Sequence, residues 1–185
     1  MKLKCPAAGL SRSDDSGATW KLIYSYPSDR FSRNPVNSFF VSGHTIYLAT
    51  DQNILVTQDD GKTFQTLSVG LGSPKVQQVY VDGLNIYAVT DGGFSYSKNG
   101  GKTFSNRDAT DNGIGADIIS FLVSEKTLYI ASSKGISISN DAGASFVTLG
   151  PNEGVPNSFG KMRLDGSTLY FVSSAGLSYI KPEPF

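Results

Sequence analysis

The sequence is poor in the residues that metal and nucleophilic chemistry use: Cys5 is its one cysteine and His44 its one histidine. A lone thiol excludes an internal disulfide and a thiolate cluster. With a single imidazole, zinc sites and Ser-His-Asp or Cys-His catalytic sets all lack their parts. His44 therefore reads as a turn residue, Cys5 as a residue without a role, and no metal or cofactor is expected. Charge is also scarce, at 17% of residues, and balanced, with 16 Lys and Arg against 16 Asp and Glu. A formal net charge of zero supplies no field to gather nucleic acid or an anionic surface, so neither is expected as a partner. No segment approaches the ~18 apolar residues of a membrane-spanning helix. The start, Met1 to Cys5, is basic but lacks the apolar run of a signal peptide. Sustained helical periodicity is absent as well.

What the chain does have is 20 glycines, 9 tyrosines and 11 phenylalanines in 185 residues. That is the profile of short strands joined by tight turns, in a chain long enough to bury about 70% of the surface it would expose unfolded.

The turns recur. Ser13, Asp15, Gly17 and Trp20 occupy the first, third, fifth and eighth places of an octapeptide that returns as Thr57, Asp59, Gly61 and Phe64. It returns again as Ser97, Asn99, Gly101 and Phe104, and as Ser139, Asp141, Gly143 and Phe146. The glycines are 44, 40 and 42 residues apart, and the common pattern is [ST]-x-[DN]-x-G-x-[ST]-[WF]. Asp or Asn at the third place can accept backbone N–H bonds across its own turn, and glycine at the fifth can take positive φ at no steric cost. The aromatic is expected to begin the next strand and pack on the sheet.

Each octapeptide follows a short strand, such as Ile54 to Val56 or Ile136 to Ile138, and that strand follows a more apolar one with tyrosine in a fixed place, at Tyr47, Tyr87, Tyr129 and Tyr170. A further strand opens the unit, at 38–41, 78–81, 119–123 and 162–164, and a four-residue hairpin turn such as Asp82-Gly83-Leu84-Asn85 leads from it into the tyrosine strand. The unit is thus four antiparallel strands, a to d, in about 42 residues, with the octapeptide at the c–d turn. Four-stranded repeats of this length are the signature of β-propeller blades packed face to face.

With these four octapeptides in phase, the chain resembles the Asp-box, or BNR, repeat family of sialidases, sortilin-type receptors, xyloglucanases and propeller-type photosystem II assembly factors, over residues 9–180. The resemblance implies an all-β propeller of four-stranded blades, with the Asp boxes at the blade rim away from the binding face. It also implies export, which is common in the family. The blade portions run over 9–24, 36–66, 76–106, 117–148 and 159–180, and the whole of 1–185 reads as one domain. Joining strand d of the first portion to strands a to c of the last gives a closed four-bladed ring from one chain. The alternative is half of a larger ring completed by a second copy.

The boxes read as structural, since a calcium loop needs several converging oxygens and the third box has Asn99 in the acidic place. One enzyme class survives the scarcity of histidine and cysteine: glycoside hydrolysis requires only two carboxyl groups. The b–c turns and d–a connections, opposite the boxes, supply Asp51, Asp91, Asp111 and Glu153 as candidate catalytic carboxylates, with Asp29 and Asp108 beside them. Tyr26, Arg30, Phe31, Arg33 and Arg107 are candidate ligand-binding residues on the same connections, and Phe159 adds a further aromatic. Against a sialidase, Phe31-Ser32-Arg33-Asn34-Pro35 only loosely matches the Phe/Tyr-Arg-Ile-Pro motif that the family carries, and no arginine cluster stands out. The favoured reading is a non-catalytic scaffold that recognises a protein or a glycan through its loop face. The alternative is a glycan-acting hydrolase, or a fragment of one.

Overall fold

The structure is a computed structural model that describes residues 1–5, 9–26, 33–108, 114, 117–124, 126–156, 159–173 and 176–181, with the backbone alone at Phe159. Among these residues 18 strands form five antiparallel sheets. The first has three strands, β1 (Lys2–Lys4), β2 (Gly9–Ser13) and β3 (Lys21–Ser25). Three four-stranded sheets follow. They are β4 (Val36–Ser42), β5 (Thr45–Thr50), β6 (Ile54–Thr57) and β7 (Gln65–Leu67); β8 (Val76–Asp82), β9 (Asn85–Thr90), β10 (Gly93–Ser97) and β11 (Ser105–Arg107); and β12 (Ser120–Ser124), β13 (Thr127–Ser132), β14 (Gly135–Ser139) and β15 (Val147–Leu149). The fifth holds β16 (Phe159–Asp165), β17 (Thr168–Ser173) and β18 (Gly176–Ile180). Within each sheet, strand order follows chain order.

The strand pattern read from the repeat is present, with two differences. Lys2–Lys4 pairs with Ser11–Ser13, a strand that three residues with two lysines do not announce. The first portion therefore has a sheet of its own, and among the described residues closure of a ring by joining it to the last portion is not seen: β3 pairs with β2, and β18 with β17. The box aromatics also stand one residue ahead of strand d rather than inside it.

Compactness divides the chain into residues 1–91 with 97–105, and residues 92–96 with 106–185. In the first unit, Leu10 and Ile23 of the first sheet pack against Ile46 and Leu48 of β5. The opposite face of that second sheet, with Ala49, Ile54 and Val56, packs against Val76, Val79 and Ile86 of the third. Both faces of β5 are thus covered, which is why a strand whose side chains alternate between faces reads as a nearly continuous apolar run. In the second unit, Tyr129, Ala131, Ile136 and Ile138 pack against Met162, Leu169 and Phe171 of the fifth sheet.

The box glycines hold these layers close. Gly61 has φ 83°, and a Cβ there would lie 2.6 Å from the Ile23 carbonyl oxygen on the neighbouring sheet. Gly101, also at φ 83°, would meet Leu67 Cδ1 at 2.4 Å. The residue before the glycine is left-handed too: Ser16, Asp60 and Ala142 have φ near 60°, and Gly100 fills that place in the third box.

Two substitutions of opposite sign follow. Gly61→Ala combines a left-handed alanine with a backbone collision and should cost about 2–4 kcal/mol. Ala142→Gly copies the third box, relieves a left-handed alanine and should stabilise by up to about 1 kcal/mol. Urea unfolding midpoints measure both.

Candidate functional site

Each sheet has two chemically different ends. At one end the c–d turns are closed by a shared hydrogen-bond set. In the first box the Ser13 hydroxyl donates to Asp15 Oδ1 at 2.7 Å and accepts the Gly17 N–H at 2.7 Å. Asp15 also accepts the Thr19 N–H at 2.9 Å and the Thr19 hydroxyl at 2.6 Å. Thr57, Asp59, Gly61 and Thr63 repeat the arrangement, as do Ser139, Asp141, Gly143 and Ser145. In the third box Asn99 Oδ1 accepts the Ser97 hydroxyl and the Thr103 N–H, while its Nδ2 donates to Thr103 Oγ1 at 2.8 Å. An amide closes the turn as a carboxylate does, so geometry requires an acceptor and not a charge. The sequence pattern announces the carboxylate's role but not that of the first-place hydroxyl, which both donates and accepts. Its signal is the recurrence of Ser or Thr at the first and seventh places.

These donors act on the acids. The Thr63 hydroxyl and N–H hold Asp59 at a pKa of about 2. At Asp141 partial burial opposes ionisation, but the bonds from Ser145 and Ser139 outweigh it and the group also sits at about 2. Thr19, with Ser13, holds Asp15 lower still. Phe64 and Phe146 pack edge-on against the preceding sheet, on Tyr24 at 5.3 Å and on Phe94 at 6.0 Å; Phe104 is buried, and Trp20 lies beneath Lys4 with its indole N–H on the Gly17 carbonyl. Between the first two boxes, Arg12 pairs with both Asp14 and Asp60.

At the opposite end lie the b–c turns and d–a connections. Here too a tie recurs, from the start of strand a to the b–c turn. Asn37 Nδ2 donates to Asp51 Oδ1 at 2.9 Å and to the Val76 carbonyl at 2.9 Å. Gln77 Nε2 donates to Asp91 Oδ1 at 2.7 Å, and Lys75 Nζ lies 3.2 Å from Asp91 Oδ2. In the fourth sheet the polarity is reversed, with Ser133 donating its N–H and hydroxyl to Asp117. The Gln77 and Lys75 bonds hold Asp91 below the usual carboxylate range.

The other candidates are placed as follows. Glu153 Oε2 accepts the Gly150 N–H at 2.8 Å and so closes a short 3-10 turn, Pro151–Glu153, beside the fully buried Val155. Arg33 lies with its guanidinium 5.8 Å from the Tyr26 ring centre, and its carbonyl accepts from Gln52. Arg107 donates to the Ala144 carbonyl at 2.7 Å and flanks Tyr96 at 5.9 Å. Asp29, Arg30, Phe31 and Asp111 lie outside the described residues, as does the side chain of Phe159. No group of three His, Cys, Asp or Glu side chains that could hold a metal ion occurs among the described residues.

No family model and no curated protein matches the chain. Solved structures do. The chain is similar to YCF48 bound to D1 peptide, at 15% identity over 94% of this chain and 57% of that one, with a TM-score of 0.66. It is similar to YCF48 from Cyanidioschyzon merolae at 16% identity, over 95% of this chain and 61% of that one, with a TM-score of 0.64. The fold is that of the β-propellers. An ancestral GH74 enzyme shares it, at 19% identity over 83% of this chain and 24% of that one, with a TM-score of 0.62. The propeller sheets here thus span about 57–61% of the YCF48 chains and 24% of the GH74 enzyme. Identities this low carry the fold alone.

The box acids give the propeller a predictable acid limit. Their folded pKa values lie below the ordinary 3.8, so their contribution is complete above about pH 5 and is lost as pH falls through 3.8 toward 2. Asp59→Asn and Asp141→Asn, which copy Asn99 of the third box, should stay folded while flattening the decline between pH 5 and 2. Urea midpoints across that range test this.

Proposed function

We propose that this chain is a non-catalytic binding scaffold of the Asp-box (BNR) repeat class, one propeller domain over residues 1–185, whose loop end recognises a protein or a glycan. The observation that carries this reading is the use made of the loop-end carboxylates. A glycoside hydrolase needs one carboxyl group kept protonated near neutral pH, beside a second that stays ionised. Asp91 is shifted the other way by Gln77 and Lys75. Asp51 holds the Asn37 amide, and Glu153 closes its own turn. Asp51 and Asp91 hold their turns to strand a, and Glu153 is engaged within its own turn. Loops fixed in this way on a rigid scaffold are suited to recognition, and the Tyr26–Arg33 pair presents an aromatic face beside a cation.

The YCF48 structure with a bound D1 peptide is a propeller that binds a peptide, and supports the protein branch of the reading. The GH74 likeness keeps the hydrolase as the reading to be tested against. On a panel of chromogenic glycosides, the chain should show no turnover above blank. Turnover that disappears in Asp51→Asn or Asp91→Asn would overturn the scaffold reading. On peptide and glycan arrays one ligand class should bind saturably, and Tyr26→Ala or Arg33→Ala should weaken it by about tenfold, as the loss of a central aromatic or arginine contact does.

A further inference from the structure

The fourth place of the box is left-handed in all four copies, and the third copy alone fills it with glycine: Gly100 has φ 71°, where Ser16, Asp60 and Ala142 stand in the others. The same copy has an amide at the third place. Asn99 and Gly100 are therefore adjacent, one of two Asn-Gly pairs in the sequence, the other being Asn112-Gly113 outside the described residues. In such a pair the side-chain amide is unusually open to attack by the next backbone nitrogen, because glycine carries no Cβ to obstruct the approach. The glycine that removes left-handed strain from this corner thus brings a chemical liability to it.

Asn99 is exposed, so water and base reach it. What withholds the reaction is hydrogen bonding. The attacking atom is the Gly100 nitrogen, whose N–H is donated to the Leu84 carbonyl at 2.9 Å. The attacked carbon belongs to an amide fixed at both ends. Its Oδ1 accepts the Ser97 hydroxyl at 2.8 Å and the Thr103 N–H at 3.1 Å, and its Nδ2 donates to Thr103 Oγ1 at 2.8 Å. Cyclisation requires the Leu84 bond broken and the amide turned, and hence an opened box.

We infer that Asn99-Gly100 is a deamidation site of this chain, closed while the third box is hydrogen-bonded and reactive when that box opens. The Gly100 nitrogen, its proton lost to base, forms a bond to Asn99 Cγ; the Cγ–Nδ2 bond breaks and ammonia leaves. Water then opens the resulting succinimide. Cleavage of its Cγ–N bond leaves aspartate, and cleavage of its backbone C–N bond leaves isoaspartate, with the main chain running through Cγ. Aspartate re-enters the fold, since Asp15, Asp59 and Asp141 close the same turn. Isoaspartate lengthens the chain by a carbon at a corner where even a Cβ on Gly101 would lie 2.4 Å from Leu67 Cδ1, and the box does not close again.

The test incubates the full chain in mildly alkaline buffer, folded or in guanidinium chloride, and follows the amide-to-acid mass change at each Asn-Gly peptide by mass spectrometry. In denaturant Asn99 and Asn112 should convert at similar rates. In the folded chain Asn99 should convert at least about tenfold more slowly than in denaturant, because attack waits on local opening. Gly100→Ala, which copies Ala142 and puts its Cβ in ordinary contact 3.5 Å from Leu84 Cδ2, should suppress conversion at Asn99 and leave Asn112 unchanged. Thr103→Val, which keeps the backbone bond and removes the acceptor of Nδ2, should speed the folded reaction about fivefold, the effect of losing one hydrogen bond. Asn99→Asp should fold with an unchanged near-UV circular dichroism spectrum. An amide at Asn99 that persists in denaturant, or equal rates in the folded and denatured chain, overturns the proposal. So does a rate that neither Gly100→Ala nor Thr103→Val alters, or an Asn99→Asp chain that does not fold.

Discussion

The side chain at the third place of each c–d turn accepts a hydroxyl from two residues before it and an N–H from four residues after it, and bonds that later residue's hydroxyl as well, as acceptor where it is Asp and as donor where it is Asn99. The first hydroxyl in turn takes the N–H of the box glycine. This small polar knot satisfies backbone groups that a tight turn would otherwise leave unpaired, and it fixes a left-handed pair of residues at the corner. The bare Cα of the glycine can then lie against the neighbouring sheet, as Gly61 lies on Ile23 and Gly101 on Leu67. Sheet spacing, and with it the apolar packing between sheets, depends on this corner. Tolerance of Asn99 follows, because the knot needs an acceptor of the right shape rather than a negative charge.

Face-to-face stacking has a second consequence. A sheet covered on both sides needs apolar residues on both, so strand b carries nearly unbroken runs such as Ile86–Thr90. Such a face is satisfied only while another layer follows. On the fifth sheet the same positions keep their apolar character on strands b and c while strand a turns cationic.

The loop end shows how a repeat absorbs residues that look chemical. Asp51 and Asp91 occupy equivalent b–c turns, and each accepts an amide from the start of strand a in its own sheet. Acids so used are held in place by the sheet beside them. The Arg33–Tyr26 pair presents an aromatic and a cation together at this end.

Strands, box turns and blade-like order were legible in the sequence because each depends on neighbours within about ten residues, repeated with a fixed phase. Glycine at the fifth place, hydroxyls at the first and seventh, and tyrosine on strand b announce themselves by recurring. β1 was not legible, because Lys2–Lys4 has no apolar pattern and becomes a strand only by borrowing the edge of β2. Nor were the ties of Asp51 to Asn37 or of Arg107 to Ala144, which join residues 14 and 37 positions apart. By itself the sequence determined the repeat, its turns and its propeller class. Tertiary structure decided which of the described acids are occupied and that the first three strands form a sheet of their own. Those outcomes depend on which surfaces meet across sheets, and local pattern does not encode that.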